Sequence, residues 1–326
     1  MLNLLPLIKE TSAFNGLLND KKTARLSHAY LFIMPDEEFM GEILRIFASV
    51  IICDDAFNLS CRNSKLVLEG LHPDVISYPK KKETVTAEEV SDLIENTFVK
   101  PFEGDKKIFL INNADKMNIT AQNKLLKTLE EPPKNTYILL GAKNESSLLS
   151  TVKSRTKIFN LFTFDSKTLF EFLSKEYTDE DKLRKAISCS DGTIQNAIEL
   201  YKDESLGDCL DFISDMLVNM KSSKDVLTYT VKFTNQEIEL YKFLELLEIA
   251  FRDLLVYKNG QKNLVKNPAF LQEIKDIDGL KTGTIIDILE RIIQAKERLD
   301  AQSKPEMVVE WLFFQILEVK YKWQKL

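Results

Sequence analysis

The sequence predicts an α/β domain built on a parallel sheet, followed by an all-helical half. Three observations carry that reading. Ile108-Phe109-Leu110-Ile111 and Tyr137-Ile138-Leu139-Leu140 are short apolar runs, the length and continuity of strands buried on both faces. Between them Ala121, Leu125 and Leu129 recur every four residues with Leu126 beside them, a single apolar helix stripe. From about residue 166 onward the strand–helix alternation gives way to amphipathic helices alone.

A chain of 326 residues exceeds one ordinary core, so two or three domains are expected. With 44% hydrophobic and 29% charged residues the balance is that of a soluble globular protein. The net charge of −6 argues against a dedicated nucleic-acid binder. No apolar stretch reaches the roughly 18–20 residues of a membrane span, so no membrane partner is expected. Met1-Leu2-Asn3-Leu4-Leu5-Pro6 lacks the basic region and cleavage signal of a secretory peptide. The cysteines at 53, 61, 189 and 209 form no disulfide framework, and a reducing cytoplasm is the simpler expectation.

Taken in order, residues 5–26 read as a helix and 27–33 as entry to a buried strand. A helix over about 38–53 carries Ile43, Leu44, Phe47, Ala48, Ile51 and Ile52 toward the sheet. Cys53 and Cys61 bracket a polar loop. Asp74–Tyr78 is a second strand, followed by the Lys80-Lys81-Lys82 run, a solvated loop or a phosphate contact. Thr86 with Glu89 three residues on starts a helix that ends before Pro101. Asn118 or Thr120 caps the next helix, and Pro132-Pro133 stops it, because proline lacks a backbone donor. Thr151–Thr156 closes the α/β pattern. Short helices follow over 165–201, then longer ones whose stripes include Leu210, Phe212, Ile213, Met216 and Leu217, then Phe243, Leu247 and Phe251, Ile285, Ile288, Ile292 and Ile293, and Trp311, Leu312 and Ile316.

Two sites are tested by composition. A phosphate loop needs glycines for backbone approach, a lysine for charge and a hydroxyl for magnesium. After the first strand the chain instead reads Met34-Pro35-Asp36-Glu37-Glu38-Phe39-Met40-Gly41, three acids where a positive field is required. An ordinary strand-to-helix turn is the preferred reading over ATP binding. Cys53 and Cys61, with His72 as a third candidate, fall short of four zinc ligands, and free thiols are preferred.

Ser27-His28-Ala29-Tyr30-Leu31-Phe32, His72-Pro73-Asp74, Ala114-Asp115-Lys116-Met117, Asn123–Pro133 and Ser154-Arg155 stand in an order and spacing that resembles the delta-prime subunits of bacterial DNA polymerase III clamp loaders. The likeness covers residues 5–160; the C-terminal half matches in helical character and length. It implies an AAA+ (RecA-like) sheet domain over 1–163, a small helical lid over 164–204 and a helical collar over 205–326. It also implies a cytoplasmic, nucleoid-associated subunit of a ring-like heteropentamer. The partners would be gamma/tau ATPase subunits, the clamp-opening delta subunit, and, through the complex, the sliding clamp and primer-template DNA. The alternatives are an active AAA+ motor subunit of the same machine or an adaptor outside replication.

Against that family pattern, Met34, Glu37 and Phe39 occupy the glycine positions, Met40 the lysine position, and Asn112-Asn113 the acidic pair that holds magnesium and polarises water. The resemblance therefore implies no ATP cofactor and no intrinsic ATPase. Of four zinc-ligand positions Cys53 and Cys61 remain, with Asn58 and Ser64 at the others, so no zinc is expected either. On spacing alone Arg155 reads as an ordinary surface or salt-bridging arginine; the resemblance to the family's Ser-Arg-Cys motif, Ser154-Arg155-Thr156 here, instead implies an arginine finger in trans, supported by Ser154, with Thr151 and Lys153 shaping the same surface. The resemblance places Asn123, Lys124 and Lys127 on the helix that faces DNA in related loaders, where the lysines are candidate phosphate contacts or simply a solvated helix face.

Overall fold

Apolar runs without polar alternation can only be strands if both faces are covered, and the computed structural model of the chain places them so. The structure describes residues 3–53, 61–80, 84–161, 163–236, 238–267, 270–271, 274 and 280–322. The chain divides into two units, Met1–Phe164 and Asp165–Leu326.

The first unit holds five parallel strands, β1 (Ala29–Ile33), β2 (Val75–Tyr78), β3 (Lys107–Ile111), β4 (Thr136–Ala142) and β5 (Lys157–Asn160), in the order β2-β3-β4-β1-β5. In register, Tyr30 lies beside Leu139 on one side and Lys157 on the other. Successive residues of β1 face opposite sides. Phe32 stacks on Phe47 of α3 (Met40–Ile52) at 4.0 Å between ring centroids. Leu31 joins a second cluster with Phe109, Ile111, Ile138 and Leu140, closed by α5 (Ala87–Thr97) through Val90 and Leu93 and by α6 (Ile119–Glu130) through Leu125 and Leu129. Thr86 and Glu89 form the expected capping box, and the Asn118 side chain accepts the Ala121 N–H at 2.8 Å.

Within the first unit the structure departs from the sequence reading at two places. The helix expected over 5–26 is two, α1 (Leu5–Lys9) and α2 (Ser12–Lys22). Thr11 breaks it, because its hydroxyl accepts the Phe14 N–H and starts a new helix. A further helix, α4 (Arg62–Leu68), stands in a stretch that gave no periodic signal; Cys61 caps it, its sulfur accepting the Ser64 N–H. Of the lysine run, Lys80 pairs with Asp92 at 2.6 Å, whereas Lys81 and Lys82 lie outside the described residues, as does Asn58. Beyond β4, the short α7 (Ser150–Lys153) leads directly into Ser154, Arg155 and β5.

The second unit is helical: α8 (Ser166–Leu173), α9 (Glu180–Ser188), α10 (Ile194–Lys202), α11 (Leu206–Asn219), α12 (Ser223–Asn235), α13 (Leu240–Lys258), α14 (Thr282–Asp300) and α15 (Pro305–Lys322). One hydrophobic cluster runs from Ala186 and Leu200 to Val319, across residue 204. Its centre is aromatic. Phe243 is fully buried and meets Phe212, Phe233 and Phe313 edge-to-face at 5.9, 4.9 and 5.9 Å, geometry that adds to simple area burial. Ile293, expected on the buried stripe of α14, is instead 49% exposed.

Phe243→Ala is expected to destabilise the chain by about 3–5 kcal/mol, the cost of emptying a closed aromatic site. Urea unfolding followed by circular dichroism measures it, and a loss under about 1 kcal/mol contradicts this packing.

Candidate functional site

In an α/β fold with parallel strands, ligands bind beyond the carboxyl ends of the strands. Here that position lies between the end of β1, the start of α3 and the end of β3. It is filled by the chain's own side chains. Met40, at the start of α3, is 1% exposed. Its thioether sulfur accepts the Asn113 N–H at 3.1 Å. A Cβ placed on Gly141 of β4 would stand 2.7 Å from Met40 Cγ and Sδ, so the methionine lies flat on bare backbone. Glu37 and Lys116 form an ion pair across the same entrance. Met34 is buried and its N–H donates to Ala142 O at 2.9 Å, Phe39 immediately precedes α3, and Gly41 lies in its first turn with Asn112 Oδ1 3.6 Å from where its Cβ would be.

The strand end beneath it is neutral. Asn113 takes a left-handed conformation, φ 53°, which asparagine tolerates. The Oδ1 atoms of Asn112 and Asn113 are buried without hydrogen-bond partners. Two amides supply neither the charge for magnesium nor a proton acceptor for water. A triphosphate would meet Glu37 and a methionine where it needs amide N–H groups and a lysine. The residues present do not fit magnesium–ATP.

Arg155 sits in a different environment. Its Nη1 donates to Thr151 O at 3.0 Å and Ser154 Oγ at 3.3 Å, and its Nη2 is ion-paired with Glu130 at the end of α6. Ser154 Oγ donates in turn to Thr151 O at 3.2 Å, and Thr156 Oγ1 to Lys153 O at 3.1 Å. These bonds fold α7 and the Arg155 turn into one rigid corner. Arg155 and Glu130 line an open cleft of about 670 Å³ with Ser27, His28, Ser154, Thr156 and Lys157. His28 Nε2 lies 2.8 Å from Leu129 O, and Lys157 Nζ donates to Asp20 at 2.6 Å, fixing the opposite wall. Both members of the Arg155–Glu130 pair remain a third or more exposed, so the guanidinium is held without being buried.

The remaining candidates separate. Lys124 Nζ donates to Ala87 O and Ser91 Oγ and so ties α6 to α5; Lys127 and Asn123 are exposed on α6. His72 and Asp74 are structural. Asp74 accepts the Phe102 and Glu103 N–H groups at 2.6 Å each, and its own N–H donates to His72 Nδ1. Burial holds the His72 imidazole below its ordinary pKa. Cys53 and Cys61 lie together, Sγ to Sγ 3.1 Å, with Ser64 Oγ 3.0 Å from Cys53. Among the described residues no group of three or more histidine, cysteine or acidic side chains is placed to hold a metal, and two thiols with one hydroxyl do not fit zinc. Glu130, Lys116 and Asp115 lie in stretches that carry the family resemblance, but the sequence assigns none of them a role. Asp115 Oδ2 accepts the Lys143 and Asn144 N–H groups and anchors the exit of β4. Each acts on a residue far away in sequence, which no local pattern signals.

A strand order with β1 between β4 and β5, and a helix over a phosphate-loop position, define an AAA+-type domain. Residues 9–165 match the family described as DNA polymerase III, delta subunit. The chain is 24% identical over 317 residues to the DNA polymerase III subunit delta' of Bacillus subtilis, covering 93% of this chain and 94% of that one. It is 34% identical over 119 residues to the delta' subunit of Yersinia pestis, about a third of either chain. It is 25% identical over 342 residues to the tau subunit of Bacillus subtilis, spanning 58% of that protein. A Thermotoga maritima gamma subunit-related protein superposes with a TM-score of 0.44 at 17% identity over 93% of this chain and 99% of its own. Over residues 9–165, and along most of its length in the Bacillus subtilis relative, the chain is similar to delta' subunits of DNA polymerase III.

Because the Arg155–Glu130 pair is exposed, Arg155→Ala is expected to change the unfolding free energy by less than about 1 kcal/mol. Chemical denaturation checks this, and a loss above about 2 kcal/mol would make Arg155 a structural residue.

Proposed function

We propose that the chain is a non-catalytic delta-prime subunit of a replicative clamp loader, acting on ATP bound by a neighbouring subunit through Arg155. The observation that carries the reading is a guanidinium held on a rigid corner at an open cleft, in a domain whose own phosphate site is filled by Met40. Transfer of a γ-phosphoryl group spreads charge over its oxygens, and a planar, permanently protonated guanidinium stabilises that charge bidentately. Thr151 O and Ser154 Oγ orient the group, and Glu130 holds it until a phosphate competes for it.

In this reading the chain lacks ATPase activity and braces the complex beside the delta and gamma/tau subunits. Residues 164–204 serve as lid and 205–326 as collar. Contact with the sliding clamp and primer-template DNA comes through the assembly, with Lys127 free to approach a phosphate and Lys124 committed to α5. Such a subunit works in the bacterial cytoplasm at the nucleoid. The names of the delta' and tau relatives, and the Ser154-Arg155 motif, support this assignment.

Arg155→Ala in the reconstituted loader is expected to lower ATP turnover, toward the 10³–10⁵-fold scale known for such fingers at the one site it serves. Arg155→Lys should not restore it, since a point charge lacks the bidentate fork. Turnover equal to wild type with an intact complex would sink the proposal. Separately, titration of the isolated chain with ATP and magnesium should give no saturable heat, and tight magnesium-dependent binding would favour an active ATPase instead.

A further inference from the structure

The failed zinc fit leaves two thiols in contact, and that arrangement has chemistry of its own. We propose that Cys53 and Cys61 form a thiol–disulfide exchange site, which low-molecular-weight disulfides oxidise to an intramolecular Cys53–Cys61 bond. The inference is independent of the role given to Arg155.

Geometry separates this from a metal site. Two thiolates on a tetrahedral zinc at about 2.3 Å stand roughly 3.8 Å apart. Here the sulfurs are 3.1 Å apart, inside that distance, and no third acidic, histidine or cysteine ligand accompanies them among the described residues. Closure to a disulfide of about 2.05 Å needs a movement of roughly 1 Å. The two sulfurs are also unequal. Cys53 is 6% exposed at the end of α3, whereas Cys61 is partly exposed at the start of α4. Cys61 Sγ accepts the Ser64 N–H at 3.2 Å. Lys21 Nζ, bonded to Val50 O at 2.6 Å and to Cys53 O, fixes the chain that carries the buried sulfur. One accessible thiol in contact with one buried thiol is the pairing that exchange needs.

The step balances. The Cys61 thiolate attacks one sulfur of R–S–S–R, forming a mixed disulfide, and R–S⁻ leaves with the electron pair of the broken bond. Cys53 gives its proton to water and attacks Cys61 Sγ, forming the internal bond and expelling the second R–S⁻. Two thiols are oxidised and one small disulfide is reduced to two thiols. The product ties the end of α3 to the start of α4. Cys189 and Cys209 serve as internal controls. Both are buried, and desolvation raises both thiols, that of Cys209 to about 12.

The test uses the full chain, freed of metal by chelator and incubated with oxidised glutathione at mildly alkaline pH. It is then alkylated and peptide-mapped without reduction. The expected product joins the Cys53 and Cys61 peptides and keeps no glutathione, while Cys189 and Cys209 are alkylated only after unfolding. Cys53→Ser should retain one glutathione on Cys61, and Cys61→Ser should take up none on Cys53. Oxidised wild type should melt at a higher temperature than reduced. Free Cys53 and Cys61 after excess disulfide, or glutathione persisting on wild-type Cys61, would overturn the proposal. So would a one-to-one zinc complex in untreated chain that shields both thiols.

Discussion

The stacking of Phe32 on Phe47 at 4.0 Å is the contact on which the first unit is arranged. It presses α3 onto the middle of a sheet whose β1, β3 and β4 residues have no exposed face to spare. With α3 seated there, its first residue must lie against the ends of β3 and β4. Met40 fills that space against Gly141 and the Asn113 amide. A phosphate loop keeps this space empty for a ligand. In this chain the same packing that stabilises the sheet occupies the site, and a large buried apolar side chain is not given up cheaply.

The corner bearing Arg155 has the opposite character. It carries little of the core beyond Val152, and its bonds are local, from Thr151, Ser154 and Lys153. Arg155 reaches Glu130, on a helix end fixed by Leu125 and Leu129 below. An exposed ion pair contributes little to stability and is easily exchanged for another anion. The domain thus keeps its rigid interior for itself and offers a cation at its edge.

Much of this was legible in the sequence. The double-faced strands at 108–111 and 137–140, the cap at Thr86 with Glu89, and the stop at Pro132 are local signals, and local chemistry decides them. The absence of lysine at Met40 and of acids at Asn112 and Asn113 was equally plain. What was not legible required contact between distant segments. The break at Thr11 competed with a long apolar pattern, and α4 is too short to show a period. Neither the pairing of Arg155 with Glu130 nor the approach of Cys53 to Cys61 has a spacing rule, because both are set by how helices settle on the sheet.

The central claim is that Arg155 answers to a phosphate that another subunit binds. Trapping measures this directly. The chain is mixed with a clamp-loader ATPase subunit, magnesium, ADP and aluminium fluoride, which mimics the transferring phosphoryl group, and the dissociation rate of the pair is followed. The mimic is expected to slow dissociation of the wild-type chain and to leave that of Arg155→Ala as it is with ADP alone. Equal slowing of both would contradict the account.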